Sequence, residues 1–178
     1  MTIEEIKNYQ PTNEEEKKYR NHIIKFLITN KDNYLRTNPE GHLTASAWII
    51  NYNKNKVLLH YHKSLDKWIQ LGGHLEKEES ILEAALREAR EESGLNSLSI
   101  IEQKIFDLDV HEIPARDEQA EHFHYDLRIL MEANFEEELE MSNESKSLKW
   151  IDLNDVENYI NEESILRMLR KAKETEGD

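Results

Sequence analysis

The chain has 178 residues, 38% hydrophobic and 34% charged, a composition typical of one globular domain that can bury its own core. Its formal net charge of −14 repels polyanions, so we expect neither nucleic acids nor anionic membranes among its partners. The chain has no cysteine, no signal-peptide core in its first ten residues and no apolar run of membrane-spanning length, so disulfides and thiolate metal sites are excluded and a cytoplasmic protein is expected.

The first third of the chain is predicted to form a helix followed by strands. Asn13 is placed to cap a helix that runs to about Asn30, and residues 38–41 have the composition of a turn. β-Branched and aromatic residues then mark extended segments. These predicted strands are Leu43–Asn51, Val57–His62 and Trp68–Leu71.

A capped helix is the clearest element of the remaining chain. Ser80 and Glu83 form a capping box, and Gly94 is placed to end a helix over Ser80–Ser93. Further strands are predicted over Leu98–Leu108, His122–Ala133 and Leu148–Ile151, and helices over Asn154–Tyr159 and Glu163–Lys173. This pattern predicts an α/β sandwich. Residues 1–41 would form a helical extension of the domain 42–178, within a single globular unit.

Three glutamates of the capped helix carry the first functional signal. Glu88, Glu91 and Glu92 are spaced i, i+3 and i+4, so they share one helix face within an arc of about 100°. Like charges at this spacing destabilise a helix unless a cation lies among them. Hard oxygen ligands suit Mg²⁺ or Mn²⁺. The alternative is a solvated face, because Arg87 can pair with Glu83 and Glu91.

The spacing around this helix matches a known pattern. Gly73 is followed after five residues by Glu79, and after seven more by the run Arg87–Leu95, which reads REAREESGL. Every fixed position of the Nudix box is filled, so the chain resembles the Nudix hydrolase family over about Leu43–Tyr159. The resemblance implies an α/β/α sandwich with a mixed sheet and a loop-helix-loop metal site.

The resemblance also implies an activity and a set of site residues. It implies a pyrophosphohydrolase that uses Mg²⁺ or Mn²⁺ to cleave a phosphoanhydride bond in a nucleoside diphosphate-linked or other small nucleotide. The implied metal ligands are Glu88, Glu91, Glu92 and the backbone carbonyl of Gly72. The supporting residues are Gly73 and Glu79, while Arg87 acts with Glu88 and Glu91 in the catalytic set.

Outside the box, the sequence offers candidates of lower specificity. Glu118 and Glu121, in the predicted loop 111–121, are candidates for the general base or an extra ligand, and a plain acidic surface loop is the alternative. Candidates for substrate contact are Trp68, Arg116, His122, His124 and Arg128. His122 and His124 share one face of a strand, as do His60 and His62, which leaves an imidazole zinc site as a further alternative.

Two other functions compete with hydrolysis of a small nucleotide. One is a Nudix module that senses a nucleotide without turnover, because a complete box does not by itself guarantee catalysis. The other is a Nudix enzyme that processes RNA ends, which the charge of −14 disfavours. The resemblance also leaves a homodimer open, and neither the substrate nor the number of metal ions follows from the sequence.

Overall fold

A mixed eight-stranded sheet is the central element of the computed structural model, which describes residues 3–77, 79–115 and 120–174. The strands are β1 Gly41–Asn51, β2 Lys56–His62, β3 Lys67–Ile69, β4 Leu71–His74, β5 Ser99–Ile100, β6 Asp107–Ile113, β7 His122–Ala133 and β8 Ser145–Asp152. The helices are α1 Ile3–Asn8, α2 Glu14–Thr29, α3 Ile81–Ser93 and α4 Glu163–Glu174, with a 3₁₀ turn at Val156–Asn158.

Strand β1 lies at the centre of the sheet. It pairs in parallel with β7 along its whole length, with Gly41 opposite Phe123 and Asn51 opposite Ala133. One part of β1 pairs antiparallel with β2 and another with β4, where Thr44 lies opposite His74. Strands β5 and β6 pair antiparallel with β7, while β3 and β8 flank β2. The sheet is therefore mixed, as the resemblance implied.

Alternate residues of β1 enter two hydrophobic clusters. Ala45, Ala47 and Ile49 belong to a cluster that includes residues of α2 and α3, whereas Trp48 and Ile50 pack with residues of α4. Because successive side chains of a strand face opposite sides of the sheet, helices cover both faces. The predicted α/β/α sandwich is confirmed.

The end signals of the predicted helices hold in the structure. Asn13 caps α2 by accepting a hydrogen bond from the Glu16 N–H. Ser80 and Glu83 form both hydrogen bonds of a capping box at the start of α3, and Gly94 ends that helix with φ 73°. The left-handed conformation of Gly94 is one that other residues rarely adopt.

Three local predictions differ from the structure. The predicted strand Leu98–Leu108 is wrong over residues 101–106, which form a loop between β5 and β6 with exposed polar residues at its centre. Strand β6 continues instead to Ile113, inside the segment predicted as a loop. The predicted helix Asn154–Tyr159 is only a 3₁₀ turn, and α1 was not predicted.

The N-terminal helices are joined to the sheet by buried polar contacts. Glu16 of α2 is fully buried and accepts a hydrogen bond from the Tyr9 hydroxyl at 2.5 Å. Lys171 of α4 donates to Glu16 and to Asp107 of β6. Lys171 thereby connects α2 and α4 to strand β6. None of the described helices combines the length and apolarity that crossing a membrane requires.

Candidate active site

Two glycines bring strand β4 close to helix α3 and strand β1. A Cβ atom on Gly73 would lie 2.5 Å from the carboxylate carbon of Glu88. Gly72 has φ 154°, and a Cβ atom there would lie 2.5 Å from the Cα of Ser46. Only glycine satisfies both requirements, so the Glu88 carboxylate lies directly against the backbone of β4.

The three box glutamates differ in exposure. The Glu92 side chain is 6% exposed and accepts a hydrogen bond from the Gly72 N–H at 2.8 Å. The Glu88 side chain is 16% exposed, whereas that of Glu91 is 61% exposed. The site thus combines two carboxylates that are largely shielded from water with one that is open to it.

Burial, with crowding by other carboxylates, raises the pKa of the two shielded groups. Burial raises the pKa of Glu92 to about 8, and the charges of Glu88, Glu144 and Glu91 act in the same direction. Burial also raises the pKa of Glu88, although Arg87 opposes that effect. Negative charge is therefore unfavourable at this point once both carboxylates are ionised. A divalent cation with oxygen ligands would relieve the repulsion, so this donor set fits Mg²⁺ or Mn²⁺.

Arg87 connects the helix to the loop that precedes it. Its guanidinium donates two hydrogen bonds of 2.9 Å to the Glu79 carboxylate, and Nη2 also donates to the His74 carbonyl at 2.9 Å. Nη1 donates to Glu88 Oε1 at 2.9 Å and to Glu91 at 3.3 Å. The hydrogen bonds from Arg87 lower the pKa of Glu79. Arg87 therefore fixes the orientation of the glutamates around it.

Three residues near Glu92 were not predicted to lie beside the box glutamates. His60 Nδ1 lies 3.7 Å from Glu92 Oε1 and 2.6 Å from the Ser145 hydroxyl. Burial lowers the pKa of His60 to about 4, so its ring is neutral at physiological pH. Glu144 precedes β8 and is close enough to raise the pKa of both Glu88 and Glu92. The pairing of β2 with β8 brings Ser145 opposite His62.

The predicted candidates for the general base and for substrate contact differ in their exposure, and two of them lie outside the described residues. Arg116 and Glu118 lie outside the described residues. Glu121 is exposed, and a hydrogen bond with it raises the pKa of Glu112. Trp68 is half-buried, with its ring edge-to-face against tyrosines on two sides.

Arg128 lies inside the protein. Its side chain is 3% exposed and donates to Asp126 at 2.8 Å, Asp107 at 3.0 Å and Asp109 at 3.1 Å. The guanidinium also donates to the carbonyl and hydroxyl of Ser164. Because all three nitrogens are engaged by protein groups, we do not place Arg128 in the substrate site proposed below.

The structure brings His122 and His124 together with other histidines. The histidine cluster consists of His42, His74, His111, His122 and His124, and its neighbouring ring centroids are 4.7 to 5.4 Å apart. Burial lowers the pKa of His42 to about 4 and that of His124 to about 2. The other predicted pair, His60 and His62, lies on β2 outside this cluster.

Comparison with known proteins agrees with this geometry. Residues 41–171 match the model of the NUDIX domain. The chain belongs to the Nudix family. One similar protein is the probable DHNTP pyrophosphohydrolase of Lactococcus lactis subsp. cremoris (strain MG1363), which is 34% identical over 110 residues. The match covers 60% of this chain and 63% of that protein, so the chain spans just under two thirds of its relative's length.

Solved structures of similar proteins have the same fold. A Nudix family hydrolase from Clostridium perfringens is 30% identical, with a TM-score of 0.56, and the match covers 75% of this chain and 97% of that chain. An Ap4A hydrolase from C. elegans is 21% identical, with a TM-score of 0.60 and coverage of 75% and 96%. The second likeness shows the fold alone. The family membership implied by residues 73–95 is therefore confirmed.

Proposed function

We propose that this Nudix protein uses Mg²⁺ or Mn²⁺ to hydrolyse a phosphoanhydride bond in a small nucleotide-like substrate. The observation that carries the proposal is the position of Glu88 and Glu92, two shielded carboxylates of raised pKa held against the glycines of β4. Such an arrangement is costly for the folded protein unless a cation binds to it. The name of the Lactococcus relative, a probable pyrophosphohydrolase, supports the same bond class.

The residues of the site would have two roles, metal binding and positioning of the metal ligands. Glu88, Glu91 and Glu92, with the Gly72 carbonyl, would hold the metal, and Arg87 would keep Glu88 in position. When bound, the metal supplies charge neutralisation to the phosphates and the leaving group. Glu92 is already fixed by the Gly72 N–H, so binding would require little rearrangement of its side chain.

The general base must be reached by water. Glu91 and Glu144 satisfy this condition, because their side chains are 61% and 72% exposed and lie near the shielded glutamates. We propose that one of them activates the attacking water. Glu118 and Glu121 remain predictions from the sequence for the same role or for an extra ligand.

The proposed substrate is a small phosphoanhydride rather than a nucleic acid. A net charge of −14 opposes binding of a long polyanion, whereas a short polyphosphate can be neutralised locally by metal. Trp68, half-buried and shortly before β4 in the chain, is the proposed aromatic contact for the substrate. His122 and His124, which lie in the histidine cluster, and Arg116 remain predictions from the sequence for substrate contact.

A release assay tests this function. Nucleoside triphosphates, dinucleoside polyphosphates, nucleotide sugars and ADP-ribose are incubated with the protein and Mg²⁺, Mn²⁺ or EDTA, and released phosphate or nucleotide is measured. We expect turnover of one class that requires metal and is lost in Glu92→Gln. The exposed Glu102→Gln serves as the matched control and should retain activity. Nucleotide binding without release in any condition would contradict hydrolysis and favour a sensor.

A further inference from the structure

The histidine cluster is assembled by strand register from distant parts of the sequence. Residue His42 of β1 lies opposite His124 of β7, and His111 of β6 lies opposite the same His124. His74 ends β4, opposite Thr44, and its ring lies 4.9 Å from that of His42. Five of the eight histidines of the chain are thereby gathered at one end of the sheet.

His42 is a buried polar side chain whose ring nitrogens have no hydrogen-bond partner among the described residues. It is 1% exposed. Each buried nitrogen without a partner is destabilising, because water would have satisfied it in the unfolded chain. His74 and His124 are only partly buried, so a ligand can reach the rings from that side.

We propose that His42, His74 and His124 bind one divalent transition-metal ion of the zinc class at a site separate from the box glutamates. One nitrogen from each of the three rings lies within 4.8 Å of the other two. Tetrahedral Zn²⁺ with bonds of about 2.0–2.1 Å needs its nitrogens about 3.3 Å apart, so the rings must close by up to ~1.5 Å. Side-chain rotation can supply that movement.

The ligand type separates this site from the proposed magnesium site. Imidazole nitrogens favour Zn²⁺, Cu²⁺, Ni²⁺ or Co²⁺, whereas carboxylates and carbonyls favour Mg²⁺. The two sites also lie on opposite faces of β4. At Gly73 the side-chain direction points to Glu88 of α3, and the next residue, His74, points to the other face.

His122 offers a fourth nitrogen. Its Nδ1 lies 2.8 Å from the Ala120 carbonyl, which can only accept, so Nδ1 carries the proton and Nε2 keeps its lone pair. A histidine that donates its other nitrogen to a carbonyl is the usual arrangement for a metal ligand. Its ring lies 5.1 Å from His42 and 5.3 Å from His124, within reach of the same ion.

Cobalt binding to tag-free, metal-free protein tests the proposal. Co²⁺ and Zn²⁺ are titrated in the presence of excess Mg²⁺, while visible absorption reports Co²⁺ coordination and calorimetry reports stoichiometry. We expect one tight Zn²⁺ site whose affinity falls at least ~100-fold in His124→Gln and in His42→Gln, because each variant removes a ligand. The matched control is His22→Gln, whose histidine lies on α2 outside the cluster.

A double variant and a melting-temperature measurement keep the test decisive if a histidine substitution disturbs folding. Glu88→Gln with Glu92→Gln removes the shielded carboxylates and should leave the Zn²⁺ site and the Co²⁺ spectrum intact. Zn²⁺ should raise the melting temperature of wild type and of this double variant, but not that of His124→Gln. Loss of the Zn²⁺ site in the glutamate variant, or its survival in both histidine variants, would overturn the proposal. The zinc-site proposal does not depend on the box glutamates. Its failure can therefore be distinguished from a failure of the proposed hydrolase activity.

Discussion

Arg87 donates a hydrogen bond of 2.9 Å to each of the two carboxylate oxygens of Glu79. This contact joins the middle of α3 to the loop that leads into it. The same guanidinium donates to the His74 carbonyl and to Glu88, so one side chain fixes the loop, the end of β4 and a proposed metal ligand. The orientation of Glu88 therefore depends on the planar fork of an arginine rather than on positive charge alone.

Substitution of Arg87 by lysine should impair the site without unfolding the protein. Lysine keeps the charge but cannot donate two parallel hydrogen bonds to Glu79 while also reaching His74 and Glu88. We expect Mn²⁺ affinity and turnover to fall about 10–100-fold. Titration of Mn²⁺ measures the effect. Arg90→Lys, an exposed position on the same helix, is the control and should match wild type. Equal losses of Mn²⁺ affinity in both variants would contradict the role proposed for the Arg87 guanidinium.

The two glycines of β4 should fail in different ways when replaced by alanine. In Gly73→Ala the new methyl meets the Glu88 carboxylate, a movable side chain, so metal binding should fall more than about 10-fold while the fold survives. In Gly72→Ala the methyl meets the Ser46 backbone at a φ of 154°, so the free energy of unfolding itself should fall by about 2 kcal/mol or more. Urea denaturation paired with Mn²⁺ titration separates the two outcomes. A stable Gly73→Ala variant that still binds metal would contradict the requirement for glycine beside the Glu88 carboxylate.

The raised pKa of Glu92 predicts that this carboxylate destabilises the metal-free protein at alkaline pH. Its ordinary pKa of 4.5 rises to about 8 on folding, so between those values the folded state holds a proton that the unfolded state has lost. Stability from the protonated group is therefore present below about pH 4.5 and is lost as pH rises through about 8. Glu92→Gln removes this loss, because the amide oxygen can still accept from Gly72.

Thermal melts in EDTA measure that difference. At pH 9 we expect Glu92→Gln to exceed wild type by roughly 1–3 kcal/mol, or ~3–10 °C, and the two to converge near pH 5. Added Mn²⁺ should reverse the order, because wild type alone would bind it tightly. Glu102→Gln, at an exposed carboxylate, should follow wild type at every pH. A constant gap between Glu92→Gln and wild type from pH 5 to 9 would contradict the raised pKa.

The sequence predicts the helical half of the site because its chemistry is local. Glu88, Glu91 and Glu92 share a face through helix geometry alone, and the capping box and Gly94 fix where that helix begins and ends. The family resemblance adds the glycine turn. These features need no knowledge of how the strands pair.

The rest of the site depends on strand register, which the sequence does not specify. His42, His60 and Glu144 come next to their neighbours only because β1 pairs with β7 and β2 pairs with β8. The same limit explains why the predicted strand ends at Leu108, whereas β6 continues to Ile113. Asp109 has low strand propensity, and it is tolerated in β6 because buried arginines neutralise it. A His-x-His pair on one strand was the only signal of the histidine cluster.

These arginines belong to a buried ionic network that holds α2, β6, β7 and α4 together. Its carboxylates are Glu16, Asp107, Asp109 and Asp126, and its cations are Arg128, Arg167 and Lys171. Arg167 of α4 donates to both oxygens of the fully buried Asp107 at 2.9 Å. Burial alone would raise the pKa of Asp107, but Arg167, Arg128 and Lys171 outweigh it and hold that pKa below its ordinary value.

Removal of Arg167 should therefore destabilise the fold strongly at neutral pH. Arg167→Met keeps the apolar bulk but removes the guanidinium that donates to Asp107. We expect the free energy of unfolding, measured by urea denaturation at pH 7, to fall by about 3 kcal/mol. Because the folded pKa of Asp107 is depressed, its contribution is present above the ordinary value of 3.8 and is lost as pH falls below it. The gap between wild type and variant should accordingly narrow below about pH 4. Arg170→Met, whose exposed side chain pairs with Glu163 at the surface, should cost under about 0.5 kcal/mol. Similar losses in the two variants, or a gap that widens in acid, would show that Asp107 does not depend on Arg167.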